Sequence, residues 1–225
     1  MTDKRNQRRG GLYWIEDKPY ISVTKVISVL AKPALRYWYG REVYRAMVAD
    51  PELSEQEALA APWKKNKKAK DRGSAVHSIV EAWKNIDEVV GEDTQYKGYA
   101  EAFSKWLDDN DITAVEHEKT VVSKQHGYAG TLDMIAKRNG DGHTFIVDVK
   151  TGKDLYPEVH LQLSAYKQAL SEEGIKVDGT AALLLNEDGT YKYELGKYKL
   201  NGFLACLTIY KELEEEFLEK VGYGN

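Results

Sequence analysis

Cysteine is nearly absent from this 225-residue sequence, where Cys206 stands alone. One thiol excludes an internal disulfide framework and any four-cysteine zinc or iron–sulfur site within the chain. A reducing, cytoplasmic setting is therefore expected. Cys206 lies in the apolar helical stretch "FLACLTIY" and is expected to fill core. Long apolar runs are missing too: none approaches the roughly 18 residues of a membrane span. No apolar segment follows the basic start "MTDKRNQRRGG", so no secretory signal is expected. Excess positive charge is also lacking. Lys and Arg number 32 against 36 Asp and Glu, a net charge of -4, which gives no global attraction to nucleic acid. Repeats and low-complexity linkers are absent. With 42% hydrophobic and 30% charged residues, the chain fits one globular domain.

The cationic charge that is present is concentrated. "WKKNKKAKDRG" packs Lys64, Lys65, Lys67, Lys68, Lys70 and Arg72 into one short span. Such a patch can follow a phosphate backbone on an otherwise acidic protein, or it can be a solvated helix face. The tail "KELEEEFLEK" is acidic.

Local signals predict helices around a small sheet. A strand or loop is expected near Leu12 to Ile21. Ser22 or Thr24 can cap a helix that Pro33 breaks, and a second helix runs from about Ala34 to Ala49. Ser54 with Glu57 forms a capping box that opens a short helix. Pro62 suits the first turn of a long helix reaching about Trp83, bent at Gly73. A further helix from about Gln95 to Asp108 carries Tyr99, Phe103, Trp106 and Leu107 on one face. "TAVEHEKTVVS", "YAGTLDMIAKR" and "HTFIVDVKT" read as strands, the last two joined by the turn signal "NGDG". "PEVHLQLSAYKQALSEEG" reads as a helix stopped at Gly174. "GTAALLLNEDGTYKYELG" reads as a strand pair turning at Glu187 to Gly189, and a last helix covers about Asn201 to Lys220. This order predicts an α/β chain built on an antiparallel hairpin rather than a doubly wound sheet.

Two of those strands carry acids where apolar side chains would pack better. Asp133 sits in "GTLDMIA", and Asp148 sits in "FIVDVKTG", two residues before Lys150. Charges are rarely buried unless paired or bound to a metal. Alternation puts Asp148 and Lys150 on one face, and the hairpin brings Asp133 alongside. Two carboxylates at one end of a sheet suit a hard divalent cation, with water and a substrate phosphate completing the shell. Lys150 suits orienting an attacking water or stabilising charge on a phosphate. Glu116 and Glu118, two apart on the preceding strand, would share a face. His77 with Glu81, and Gln162 with Tyr166, are i, i+4 pairs on helices. Singly, each has a plainer reading: a structural histidine, an ordinary helix surface, a salt-bridged acid and lysine.

Together and in this order, they resemble the PD-(D/E)XK nuclease superfamily, within it the RecB-like and Cas4-like exonuclease group, of a phage-encoded type. "GTLD" is similar to the family's "GxxD" strand, "DVK" to its (D/E)xK strand, Gln162 and Tyr166 to its "QxxxY" helix, and "RGSAVHSIVE" to its "RGxxxHxxxE" helix. "SVTKVISVLAKPALRYW" resembles the start of related phage nucleases. The similarity spans roughly residues 20 to 190. It implies a restriction-endonuclease-like core: a mixed, mostly antiparallel sheet flanked by helices, with a helical N-terminal extension. Residues 1–110 would form the mostly helical part carrying the "RGxxxHxxxE" helix, and residues 111–225 the nuclease core, as one domain overall.

The resemblance also implies roles. Asp133, Asp148 and His77 would be metal ligands and Lys150 the catalytic lysine. Glu118, with Glu116 as the alternative, would be the early acid, and Gln162 and Tyr166 would touch DNA or support the site. Arg72, Lys64, Lys65, Lys67 and Lys68 are the further candidate DNA contacts. The implied activity is metal-dependent exonucleolytic hydrolysis of single- or double-stranded DNA with Mg²⁺ or Mn²⁺, in recombination, repair or phage DNA processing. A protein partner from recombination or replication would fit. An endonuclease on the same fold, or an inactive nucleic-acid-binding module, are the competing readings. Lacking four cysteines, the chain resembles the members without an iron–sulfur cluster. The expected location is the cytoplasm, that of the host if the chain is phage-encoded, with no membrane association.

Overall fold

The computed structural model describes residues 6–9, 11–82 and 95–220, so the expected helix end at Trp83 lies outside the described residues. Three strands come first: β1 (Asn6–Arg9), β2 (Leu12–Ile15) and β3 (Lys18–Ser22). Helices α1 (Val23–Val26), α2 (Pro33–Ala49), α3 (Glu55–Glu81) and α4 (Lys97–Asp109) follow. Then come β4 (Ile112–Ser123), β5 (Tyr128–Arg138) and β6 (Thr144–Lys150). Helix α5 (Val159–Glu172), strands β7 (Gly179–Leu185) and β8 (Tyr191–Leu195), and helix α6 (Leu200–Lys220) complete the order.

The caps explain most boundaries. The Ser22 side chain accepts from the Lys25 N–H and starts α1. Ser54 and Glu57 exchange hydrogen bonds as a capping box at the head of α3. Gly174, at φ +78°, ends α5 with two back-bonds, Ile175 N–H to Leu170 O and Gly174 N–H to Ser171 O, the pattern of a left-handed C-terminal cap.

Pro62 corrects an expectation. It lies inside α3, and the two helices expected there are one of 27 residues. Proline has no N–H to give the Ala58 carbonyl, a loss that normally kinks or ends a helix. Here Ala58 and Pro62 are both buried, and being i, i+4 they share one side of the helix. Burial on that side, with the capped turn before it, offsets the missing bond.

Among the described residues, eight strands form one mixed sheet, and its pairing creates a fork. β4 runs antiparallel along the whole of one edge of β5. The other edge is shared. β6 pairs antiparallel with Met134 to Lys137, while β3 pairs parallel with Tyr128 and Ala129. Between them, among the described residues, the segment Gly130 to Asp133 has no strand partner on that side. β6 continues into β7 in parallel, and β7 into β8 antiparallel.

Helices cover both faces of the sheet. On one, Leu163, Leu170, Phe203 and Leu207 of α5 and α6 pack on Tyr128, Leu132 and Ile146, with Cys206 buried among them as expected. On the other, Val76 and Val80 of α3 and Phe103 and Trp106 of α4 pack on Met134, Val147 and Val149. The second layer fixes the C-terminal half of α3 directly above the fork. Among the described residues, no helix is long and apolar enough to cross a membrane.

Candidate metal centre

Register builds a row of acids. The last regular pair between β5 and β6 is Met134 with Val147, so Asp133 and Asp148 are the next pair out, where the strands part. On the other side, His117 pairs with Met134 and Lys119 with Leu132, which brackets Glu118 opposite Asp133. Glu118, Asp133 and Asp148 thus stand at one level on three adjacent strands.

β4 is bent to deliver its acid. A bulge between Ala114 and Glu116 shifts the register, and Glu118 itself has φ +47°. A left-handed backbone costs a residue with a side chain about 1–2 kcal/mol, and such strain gathers at functional sites. It also breaks the alternation that would have put Glu116 and Glu118 on one face. Glu116 turns to Lys119 at 2.8 Å, while Glu118 joins the cluster. Glu118→Gly is expected to be more stable than Glu118→Ala by about 1 kcal/mol, because both lose the carboxylate and only glycine relaxes at this φ. Urea denaturation of the two variants measures the difference, and equal midpoints would remove the strain argument.

His77 comes down from α3. Its Nδ1 lies 3.4 Å from Asp133 Oδ1 and 3.9 Å from Glu118 Oε1. These three residues form a group able to hold a metal ion, with one ligand atom from each within 4.8 Å of the others. His77 Nε2 lies 3.1 Å from the Val149 carbonyl. A carbonyl only accepts, so Nε2 carries the proton and the Nδ1 lone pair is left for a cation, as in histidine ligands held by a backbone carbonyl. Asp133 is held in the same way: Oδ2 accepts from the Val149 N–H at 2.7 Å, and Oδ1 faces the histidine. One residue of β6 therefore aims both candidate ligands through its backbone.

Electrostatics favour a cation here. Burial raises the Glu118 pKa, and the charge of Asp133 raises it further. For His77, burial opposes the charged form, but Asp133 outweighs it and the pKa is raised. Asp148 is 1% exposed, and neither of its oxygens accepts a well-directed hydrogen bond. Its compensation is Lys150, with Nζ 2.5 Å from Oδ2. Burial pushes the Asp148 pKa up, against the pull of Lys150 and with the push of Asp133. Burial also works to lower the Lys150 pKa, but Asp148 and Asp133 prevail and hold it above the ordinary value. Two carboxylates and an imidazole able to hold a divalent cation therefore stand beside Asp148, a buried under-bonded carboxylate outside that three-residue group.

The other expected residues divide. Gln162 donates to Tyr166 Oη at 3.0 Å, and both are buried beneath the fork. The Tyr166 ring explains Gly130 of "GTLD": a Cβ there would lie 2.5 Å from Tyr166 Cε1. Gly130→Ala is expected to destabilise the protein by about 1–3 kcal/mol through overpacking, and the cost should shrink in a Tyr166→Ala background. A double-mutant cycle in urea reads this directly, and full additivity would contradict it.

Arg72 is engaged by the protein, donating to the Thr151 carbonyl at 3.0 Å and tying α3 to the end of β6. Lys65 is ion-paired with the buried Glu42 of α2, and Lys67 with Asp71 at 3.1 Å. Lys64, Lys68 and Lys70 are exposed. The sequence reading missed the wall beside Lys150. A cleft of about 750 Å³ is lined there by Lys150 and Gln162 together with Ser28, Lys32, Arg36 and Tyr39. The segment "SVTKVISVLAKPALRYW" was the signal for it, without spacing that assigned roles.

A mixed sheet split at a fork, flanked by helices, with acids on adjacent strands and a lysine two residues after the last, is a restriction-endonuclease-like core. The sequence agrees: residues 36–221 match the PD-(D/E)XK nuclease superfamily, and the chain belongs to it. No curated protein matches the sequence. Among solved structures, the chain is similar to an alkaline exonuclease (LHK-Exo) from Laribacter hongkongensis, at 11% identity and TM-score 0.47 over 91% of this chain and 93% of that one. It is likewise similar to LHK-Exo in complex with dAMP, at 13% identity and TM-score 0.44 over 91% and 94%. At these scores, neither likeness bears on the chemistry.

Proposed function

We propose that this protein is a metal-dependent exodeoxyribonuclease of the RecB-like and Cas4-like type, without an iron–sulfur cluster. It would act in the cytoplasm in recombination, repair or phage DNA processing. The observation that carries the reading is the convergence of Glu118, Asp133 and His77 at the sheet fork, with the Asp148–Lys150 pair on the next strand.

Asp133, Glu118 and His77 Nδ1 would hold a divalent cation, with the neighbouring Asp148 as a further proposed ligand. When bound, such a cation would supply electrophilic stabilisation of the charge that develops on a phosphodiester during hydrolysis. The protein residues do the rest. Val149 fixes Asp133 and His77 through its N–H and C=O. Lys150 is held protonated by its contact with Asp148 and by the more distant charge of Asp133, so it suits orienting the nucleophilic water and neutralising a phosphate oxygen rather than removing a proton. Gln162 and Tyr166 hold the floor beneath Gly130. The exonucleolytic mode rests on the resemblance to the RecB-like group.

End-labelled linear DNA and covalently closed circles, each single- and double-stranded, separate the readings when incubated with Mg²⁺ or Mn²⁺. The expected result is digestion of linear DNA from its ends with the circles intact. Circles cut as fast as linear DNA would make the protein an endonuclease.

A nitrogen ligand favours Mn²⁺ over Mg²⁺. Cleavage is therefore expected to be faster in Mn²⁺, and His77→Ala should shrink the ratio of the two rates. Steady-state rates in each metal test this, and a ratio that survives the substitution would remove His77 from the ligand set.

A further inference from the structure

Helix α2 is an unusual helix for a folded protein. Glu42 is its buried residue, while Tyr37 is 72% exposed and Tyr44 68%. It is held to α3 by polar and ring contacts: the Glu42–Lys65 ion pair, Asn66 Nδ2 to Tyr39 Oη at 3.5 Å, and the tilted ring pair Tyr39–Trp63 at 5.4 Å. That ring pair joins two surfaces. Tyr39 and Arg36 line the cleft that also contains Lys150 and Gln162. Trp63 is 65% exposed, and its own helix carries the exposed Lys64, Lys67 and Lys68 immediately after it.

Aromatic faces interleaved with cations, on a protein whose net charge is negative, point to a polyanion with flat apolar groups. A single nucleic-acid strand has that chemistry: its bases stack on aromatic rings and its phosphates follow the positive groups. A duplex keeps its base faces inside its own stack, and a cleft of about 750 Å³ is the size of a small-ligand site rather than of a double helix. We infer that the α2–α3 wall is a single-strand track. An unpaired base stacks on the Trp63–Tyr39 pair, phosphates lie along Arg36 and the α3 lysines, and the strand is led toward Lys150. This rests on the nuclease reading, and it makes an unpaired strand the form of substrate that enters the site.

The test is binding of a fluorescein-labelled oligothymidylate of about 16 nucleotides, within the site sizes of stacking platforms, by anisotropy in Ca²⁺ to limit cleavage. A duplex of equal length is measured beside it. Loss of one stacking contact predicts about tenfold weaker single-strand binding in Trp63→Ala, with most of the affinity restored in Trp63→Phe and duplex binding changed far less. Thermal melting of both variants checks their folding. Unchanged single-strand binding in Trp63→Ala, as expected if this face docks a protein, overturns the inference. So does an equal loss for the duplex. Hydrolysis of a nitrophenyl phosphodiester of thymidine by the unaltered protein in Mn²⁺ is measured separately. Its absence, with Trp63-dependent strand binding intact, overturns the nuclease reading and leaves the track standing.

Discussion

Replacing Asp133 with alanine is expected to slow DNA hydrolysis about 1,000-fold and to remove measurable Mn²⁺ binding. A bound cation contributes several kcal/mol of transition-state stabilisation, and about 1.36 kcal/mol is worth tenfold in rate. Asp133 is central because it stands between the other proposed ligands, with Oδ1 toward His77 and Oδ2 fixed by the Val149 N–H. Alanine also orphans that N–H, at a cost of about 1–3 kcal/mol in stability. Asp133→Asn separates the two effects. Its amide oxygen can still accept from Val149, so the melting temperature should recover, while the lost negative charge keeps activity low. Calorimetric titration with Mn²⁺ reads the binding, and an unaltered affinity in Asp133→Ala would take this residue out of the centre.

Lys150→Ala is expected to cost about 10²–10³ in turnover, the usual scale for removing one preorganised donor from a developing charge, yet to leave Mn²⁺ binding in place. The contrast with Asp133 follows from geometry. Lys150 touches the cluster through Asp148, and its side chain, 38% exposed, also lines the cleft where a phosphate would enter. Removing it leaves Asp148 buried without its counter-charge. Part of that cost is relieved by solvent at the lysine end, so a folded variant is expected and melting confirms it. Full cleavage by Lys150→Ala would overturn the catalytic assignment.

Much of this arrangement was legible in the sequence because it depends on local rules. "NGDG" announced the β5–β6 hairpin, and alternation then placed Asp133 beside Asp148 and Asp148 with Lys150. Ser54 with Glu57 marked the head of α3, and Gly174 marked the end of α5. What stayed hidden depends on non-local or backbone effects. The β2–β3 hairpin turns through Glu16 and Asp17, both left-handed at φ +50° and +62°. Neither is the Asn-Gly that would advertise such a turn. The "NQRR" of β1 has no apolar alternation to read. Pro62 looked like a helix start because its burial against its surroundings cannot be seen in the chain. Glu118 was preferred to Glu116 on the resemblance alone; the bulge and the positive φ that send the two side chains apart are concealed by a stretch that alternates only partly. The part played by Val149 was unreadable in principle, since it acts through its N–H and C=O rather than its side chain. For Lys65, composition suggested a phosphate contact, whereas packing gives it to Glu42.

The most direct measurement is a crystal of the protein soaked in Mn²⁺, with anomalous diffraction recorded at the manganese edge. A peak is expected at ligand distance, about 2.0–2.3 Å, from His77 Nδ1 and from carboxylate oxygens of Asp133 and Glu118, with His77 Nε2 still donating to the Val149 carbonyl. A manganese ion bound elsewhere on the protein, with His77 and Asp133 touching none, would contradict it.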